Sequence, residues 1–345
     1  MKALLQGTTF TTGLLCIVIM LMAAGCNSSG SYDDREIDVE LIDAKTELPS
    51  KVRLFFKVDV NDKDRIITLN PSDFEIYENG SLISSLESQA RILRERGDFL
   101  YSSILLLDLS GSILNSGDLP RLKEAATTFI GRTMPGEDDS LHGTREMAVY
   151  WFDGEADIHS LVFFTSDRDS LISGIESIDE NISSDVSTNL NGALIQGLSV
   201  MNSRLEEIRG DSDIATAGSM VLFTDGTDQA GRVSTAAVLD SVNNANKEHS
   251  VFTIGLGGEI DEGVLRQFGK DGFELARDSL ELNDTFLEVA KRLESESNSF
   301  YVLEYCSPKR SGEHTLQLRA VYDNRFGSFE TTFSAEGFTG GCSVD

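Results

Sequence analysis

Apolar and polar positions follow one rhythm at the two ends of the chain and another in its middle. From Glu36 to about Arg96 they alternate. Ile37, Val39 and Leu41 interleave with Asp38 and Glu40, and Val52, Leu54, Phe56, Val58 and Val60 repeat the pattern. Period two predicts strands with one face in the core and one in water. Asn61-Asp62-Lys63-Asp64 and Glu78-Asn79-Gly80 carry turn chemistry between such runs. The stretch therefore predicts a small antiparallel β module with one wet face.

At Phe99 the rhythm changes. Ile104-Leu105-Leu106-Leu107 is a continuous apolar run, the mark of a strand covered on both sides. Asp118 and Pro120 then open a helix whose apolar residues Leu122, Ala125, Ala126, Phe129 and Ile130 fall at helical spacing. The alternation continues with a strand from Met147 to Phe152, an edge strand from Ile158 to Phe164, and helices at Leu171 to Ile178 and Leu190 to Met201. Next come a strand Met220 to Phe223, a helix Thr235 to Asn244, a strand Val251 to Leu256 and a helix Glu262 to Phe268. A short strand Phe273 to Ala276 and a helix Leu282 to Leu293 complete the block. Strands alternating with helices predict an α/β fold, a doubly wound, mostly parallel sheet covered on both faces.

After Ser297 period two returns, in Phe300 to Cys306, Thr315 to Tyr322 and Phe329 to Phe333, with Ser311-Gly312 and Asn324-Arg325 as turns. The β segments at the two ends are expected to pair into one module flanking the α/β block, because the termini of such blocks often lie close together.

The first residues do not belong to this architecture. Lys2 supplies a positive start, and the apolar run Leu14 to Gly25 is shorter than the ~20 residues a membrane span needs, so it reads as a signal peptide. The run Ala23-Ala24-Gly25-Cys26 resembles the bacterial lipobox, with Ala23 standing where Leu or Val is usual. That resemblance implies Cys26 as the lipidated first residue of the mature chain and Asn27 to Asp34 as a tether. It also implies export and attachment to a cell envelope. Asn27 lacks the aspartate that resembles an inner-membrane retention signal, which favours the outer membrane. An ordinary signal peptide cut near Gly25 is the alternative. The segments expected are then a signal peptide (1–25), a tether (26–35), an N-terminal β module (36–98), the α/β domain (99–298) and a C-terminal β segment (299–345).

Of four cysteines, Cys16 leaves with the signal and Cys26 would carry lipid. In an oxidising compartment, a disulfide between Cys306 and Cys342 is the economical expectation, with two buried thiols as the alternative. A formal charge of −28 speaks against nucleic acid, whose phosphates call for clustered Lys and Arg.

The chemistry gathers at the ends of the predicted strands, where open α/β sheets bind ligands. Asp108-Leu109-Ser110-Gly111-Ser112 ends the first buried strand, Thr188 precedes the helix at Leu190, and Asp225 follows the strand ending at Phe223. Five oxygen donors with neither sulfur nor imidazole suit a hard cation such as Mg²⁺, with Mn²⁺ or Ca²⁺ as alternatives. These residues resemble the von Willebrand factor A domain and its metal-ion-dependent adhesion site. Its Asp-x-Ser-x-Ser element maps to Asp108, Ser110 and Ser112, its threonine to Thr188 and its second aspartate to Asp225. The resemblance covers about Phe99 to Asn298. It implies a Rossmann-like fold and a metal that captures an Asp or Glu of a partner protein. Adhesion or envelope scaffolding is the role that follows. A metal that only braces its loops, or a metal-dependent hydrolase, are the alternatives; the site loops offer no His or Glu as a general base, so no enzyme is expected.

Other features carry less. His142, His159, His249 and His314 fit no zinc-ligand spacing. Trp151 reads as a core residue, and Asp228 and the pair Asp138-Asp139 as solvated loop residues. No nucleophile elbow or phosphate-binding loop is present.

Overall fold

The structure, a computed structural model, describes residues 37–59, 68–93, 97–212 and 214–344. The expected signal peptide, Cys26, the tether and the turn Asn61 to Asp64 lie outside the described residues.

The chain opens with strands β1 (Asp38–Glu47), β2 (Lys51–Asp59), β3 (Phe74–Glu78) and β4 (Ser81–Leu82), a single helical turn α1 (Ser85–Ser88) and β5 (Arg91–Leu93). The α/β block runs β6 (Phe99–Asp108), α2 (Gly111–Ser116), α3 (Leu119–Thr133), β7 (Arg145–Phe152), β8 (His159–Thr165), α4 (Arg168–Glu176) and α5 (Leu190–Asp211). It continues with β9 (Ala215–Thr224), α6 (Thr235–Asn243), β10 (His249–Leu256), α7 (Glu262–Phe268), β11 (Gly272–Ala276) and α8 (Leu282–Asn298). Strands β12 (Phe300–Cys306), β13 (Glu313–Tyr322) and β14 (Arg325–Ser334) close the chain.

The central sheet has the order β11-β10-β9-β6-β7-β8 and is parallel except for the edge strand β8. Strand β6 shows why its apolar run is continuous. Leu105 and Leu107 pack with α3, α4 and α8, while Ile104 and Leu106 pack with α5, α6 and α7. From β6 the chain first adds β7 and β8 on one side, then crosses back to place β9 on the other. The sheet therefore changes direction between β6 and β9, the kind of crevice where α/β sheets hold ligands.

The terminal β segments do pair. Strand β12 inserts between β2 and β5, and β13 between β3 and β14, which makes two antiparallel four-stranded sheets. Val52, Leu54, Phe56, Tyr301, Leu303, Ile76, Leu316 and Leu318 fill the space between them. Phe56 stacks on Tyr301 at 5.8 Å and meets the edge of Phe74 at 5.4 Å, so the aromatics pack rather than form a platform. Asn79 and Gly80 take the positive φ angles that a two-residue hairpin turn requires. Asp323 and Asn324 do the same between β13 and β14.

The expectation of one wet face fails for the middle of this module. Every residue of β12 is buried, and Phe55, Phe300 and Val302 belong to the core of the α/β block. The β1-β2-β12-β5 sheet thus has one face in its own sandwich and the other on the α/β domain. The other sheet keeps the expected wetter face: β3 and β13 alternate buried with half-buried residues, and β14 alternates half-buried with exposed ones. Cys306 and Cys342 form a disulfide with Cα atoms 5.8 Å apart, tying the end of β12 to the C-terminal tail across 36 positions.

Candidate metal centre

Asp108 is the last residue of β6 and is 0% exposed. One carboxylate oxygen accepts the Ser110 N–H at 3.0 Å, and the other accepts the Thr224 hydroxyl at 2.6 Å. Thr224 ends the neighbouring strand β9, so the pairing of β6 with β9 delivers both residues to the crevice. Burial pushes the Asp108 carboxyl up to about 7, helped by the nearby Asp225 charge, with the Thr224 and Ser110 hydrogen bonds opposing. Asp225 is raised as well, first by burial and then by Glu259 and Asp118, while Ser112 lowers it.

The hydroxyls form a chain between these acids. Ser112 Oγ donates to Asp225 Oδ1 at 2.8 Å, which leaves Ser110 Oγ to donate to Ser112 Oγ at 3.2 Å. Ser110 is buried and Ser112 exposed, so the site is closed beneath and open above.

Three loops meet here. Gly111 N–H donates to the Val186 carbonyl at 3.1 Å, and a Cβ at position 111 would lie 2.7 Å from Val186 Cβ; only glycine permits that approach. The Thr188 carbonyl accepts the N–H groups of Gln229 (2.8 Å) and Ala230 (3.1 Å) from the Asp225 loop. Thr188 itself is buried, and its hydroxyl faces Gly226, 3.8 Å from where a Cβ would stand. Thus Asp108, Ser110, Ser112, Thr188 and Asp225 all lie at one end of the sheet, around the β6–β9 crevice.

The donor set fits a hard divalent cation. It is all oxygen, and two carboxylates share it. Among the described residues no Lys, Arg or His forms an ion pair with either acid. A buried carboxylate without a counter-charge is costly, and a cation bound between these acids would remove that cost.

Three features were missed from the sequence. The run Gly111 to Ser116 forms α2, which starts inside the Asp-Ser-Ser element and carries its Ser112, although glycine and serine are poor helix formers. Asp108 and Thr224 are far apart in sequence, and only the parallel pairing of β6 and β9 joins them. Asp228, expected to be a solvated loop residue, is half-buried and makes a supporting contact. Its carboxylate accepts the N–H of Asn191 in the first turn of α5 (3.0 Å) and that of Gly231 (3.0 Å), clasping the Asp225 loop to the helix behind Thr188.

A parallel sheet wound on both sides, with this oxygen-lined crevice at its switch point, defines a class of binding domain. The sequence matches the von Willebrand factor type A domain over residues 104–288, and the chain belongs to that family. Domains of this family mediate protein–protein interactions, often with a metal. Over 264 residues the chain is 24% identical to inter-alpha-trypsin inhibitor heavy chain H1 of Homo sapiens, covering 70% of this chain and 27% of that protein. It thus spans about a quarter of that relative's length. A von Willebrand factor type A structure from Catenulispora acidiphila aligns with 10% identity and a TM-score of 0.45, covering 88% of this chain and 74% of that one. Proximal thread matrix protein 1 from the mussel byssus, solved with zinc in its MIDAS motif, aligns with 17% identity and a TM-score of 0.44. That alignment covers 58% of this chain and 49% of the mussel protein.

Proposed function

We propose that this protein binds another protein through a divalent cation held by Asp108, Ser110, Ser112, Thr188 and Asp225. Mg²⁺ is the first choice, with Mn²⁺ and Ca²⁺ as substitutes. The observation that carries the proposal is the meeting of two carboxylates and three hydroxyl residues at one crevice, with no cationic side chain among the described residues paired to either acid. Asp108 and Asp225 supply charge, the serines supply neutral oxygens, and Thr188 comes from the loop held against Asp225. Two acids and three neutral hydroxyls balance a divalent ion's charge without filling its coordination shell, so a partner's Asp or Glu can replace a bound water and complete it. Val186, 72% exposed beside Gly111, offers apolar contact at the rim.

The role fits adhesion or scaffold assembly at a bacterial cell envelope. Lipid attachment at Cys26 and a place in the outer membrane belong to the same proposal, and the apolar run and the Ala-Ala-Gly-Cys sequence support them. Loss of lipid labelling in Cys26→Ser tests that part.

The site is tested by unfolding with excess Mg²⁺ or Mn²⁺ against chelator, for the wild type and for Asp108→Ala. At about a hundred times its dissociation constant the metal should stabilise the wild type by roughly 2.7 kcal/mol and leave the variant unmoved. Equal metal response in both proteins rejects the assignment. Metal-dependent stability without metal-dependent capture of an acidic partner would leave the ion as a brace for its loops.

A further inference from the structure

A second group of metal-ligating side chains stands on the neighbouring hairpin. Asp153, Glu155 and His159 each offer one ligand atom, and these atoms all lie within 4.8 Å of one another. Asp153 follows β7 and is 1% exposed; its carboxylate accepts the Glu155 N–H at 2.8 Å and the Ser183 hydroxyl. His159 begins β8, and its ring stacks on Trp151 at a centroid distance of 4.0 Å and an angle of 16°, which fixes the imidazole plane. His159 Nε2 is shielded from solvent, makes no hydrogen bond and stands 3.5 Å from Glu155 Oε2.

Asn189 holds the backbone of the loop that carries Glu155. Asn189 is 2% exposed, and its Nδ2 donates to the carbonyls of Glu155 (2.8 Å) and Ala156 (3.3 Å). The oxygen of that amide is buried and has no hydrogen-bond partner. Arg232 bonds the Gly154 carbonyl, and among the described residues neither Lys nor Arg pairs with Asp153 or Glu155. Buried polar atoms without a hydrogen bond are rare in folded proteins, and His159 Nε2 is one that borders two carboxylates.

We infer that Asp153, Glu155 and His159 form a second divalent-cation site, of the zinc type, beside the oxygen-only crevice. One imidazole nitrogen with two carboxylates is a donor set that suits Zn²⁺ and Co²⁺ better than Mg²⁺, and three protein ligands leave a fourth position open. The site shares no ligand with the crevice, so it stands or falls separately. It does touch the crevice's support: the Asp153 carbonyl accepts the Asn189 N–H at 2.7 Å, next to Thr188.

The sequence provides its own probe, because Trp151 is the single tryptophan. Zn²⁺ titrated into the full chain under excess Mg²⁺ should bind one equivalent by calorimetry and change Trp151 emission, and Co²⁺ should quench it. Asp108→Ala should keep this response while losing the Mg²⁺ effect on unfolding. His159→Gln and Glu155→Gln should each weaken Zn²⁺ binding at least about tenfold. Wild-type protein that binds no Zn²⁺ under these conditions, or a His159→Gln variant that binds it unchanged, overturns the proposal. A Zn²⁺ response lost in Asp108→Ala but kept in both hairpin variants assigns the ion to the crevice and overturns it as well.

Discussion

Glu304 lies within β12 with Lys51, Arg53 and Arg91 around it at 3.6, 4.0 and 3.1 Å, whereas Asp108 meets only hydroxyls, a backbone amide and a second carboxylate. Both are almost wholly buried. Glu146, at 6% exposure, follows the first pattern: Arg204 grips it through two bonds of 2.8 Å, and Ser102 adds a third. At Glu304 and Glu146 the chain neutralises a buried acid with its own cations, and those acids belong to the fold; Glu78 in the β module is held instead by the Tyr305 hydroxyl at 2.9 Å. At the crevice it gathers acids and supplies no counter-charge, so the charge balance there depends on something from outside.

The contrast can be broken at either end. Glu304→Ala takes the buried carboxylate from Arg91 and one partner each from Lys51 and Arg53, and should cost about 3 kcal/mol, equally with Mg²⁺ and with chelator, in denaturant midpoints. Removing the disulfide by Cys306→Ser with Cys342→Ser should cost about 2–4 kcal/mol, again independent of metal. Asp108→Asn keeps an acceptor for Thr224 but drops the charge. It should lose the whole metal increment of roughly 2.7 kcal/mol while being no less stable than the wild type in chelator. Stability lost by Asp108→Asn in chelator would show that the acid belongs to the fold, as Glu304 does.

The pH dependence sharpens the same point. Asp108 titrates near 7 in the fold and near 3.9 when unfolded, so folding prefers its protonated form. Its favourable contribution is complete below the unfolded value and is lost as pH rises through about 7. In chelator the wild type should therefore lose about 1 kcal/mol more than Asp108→Asn between pH 6 and pH 8, in parallel unfolding curves. Glu259 and Asp118 face Asp225 in both proteins and largely cancel from that difference, whereas the Asp225 charge is part of what raises Asp108 and so belongs to it. The smallest effect is expected of Asp228→Ala, which removes two acceptor contacts at a partly exposed position. About 0.5–1 kcal/mol should be lost, with weaker metal binding as the Thr188 and Asp225 loops loosen.

Much of this was legible before any coordinates. Ile104 to Leu107 announced a strand buried on both faces because both parities are apolar. The Asp108, Thr188 and Asp225 positions announced a shared crevice because each stands at a strand or helix end on the same side of a parallel sheet. What escaped notice was tertiary. Leu54-Phe55-Phe56 is a continuous apolar triplet, yet period two around it hid that Phe55 faces the α/β core. Helix α5 runs on to Asp211, past the expected Met201, because Leu205 and Ile208 still face the sheet although polar residues dilute the pattern. The Asp153, Glu155 and His159 group follows no helical ligand spacing, since a hairpin rather than a helix brings it together.

The placement of β12 between β2 and β5 also dictates an order of assembly. Lys51 pairs with Cys306, so the first sheet of the module lacks a central strand until the α/β block has been made. Until then β2 has one unpaired edge, and Phe56 has Phe74 but not Tyr301 to pack on. The α/β block, whose neighbouring elements follow one another closely along the chain, can condense first and present Phe99 and Tyr101 as a surface for Phe55 and Phe300. Pairing across so long a separation is slow, because loop closure must come before the contacts that reward it. For a nascent chain, the β1–β5 segment is the part most in need of protection from aggregation, and synthesis of β12 is the event that ends its exposure.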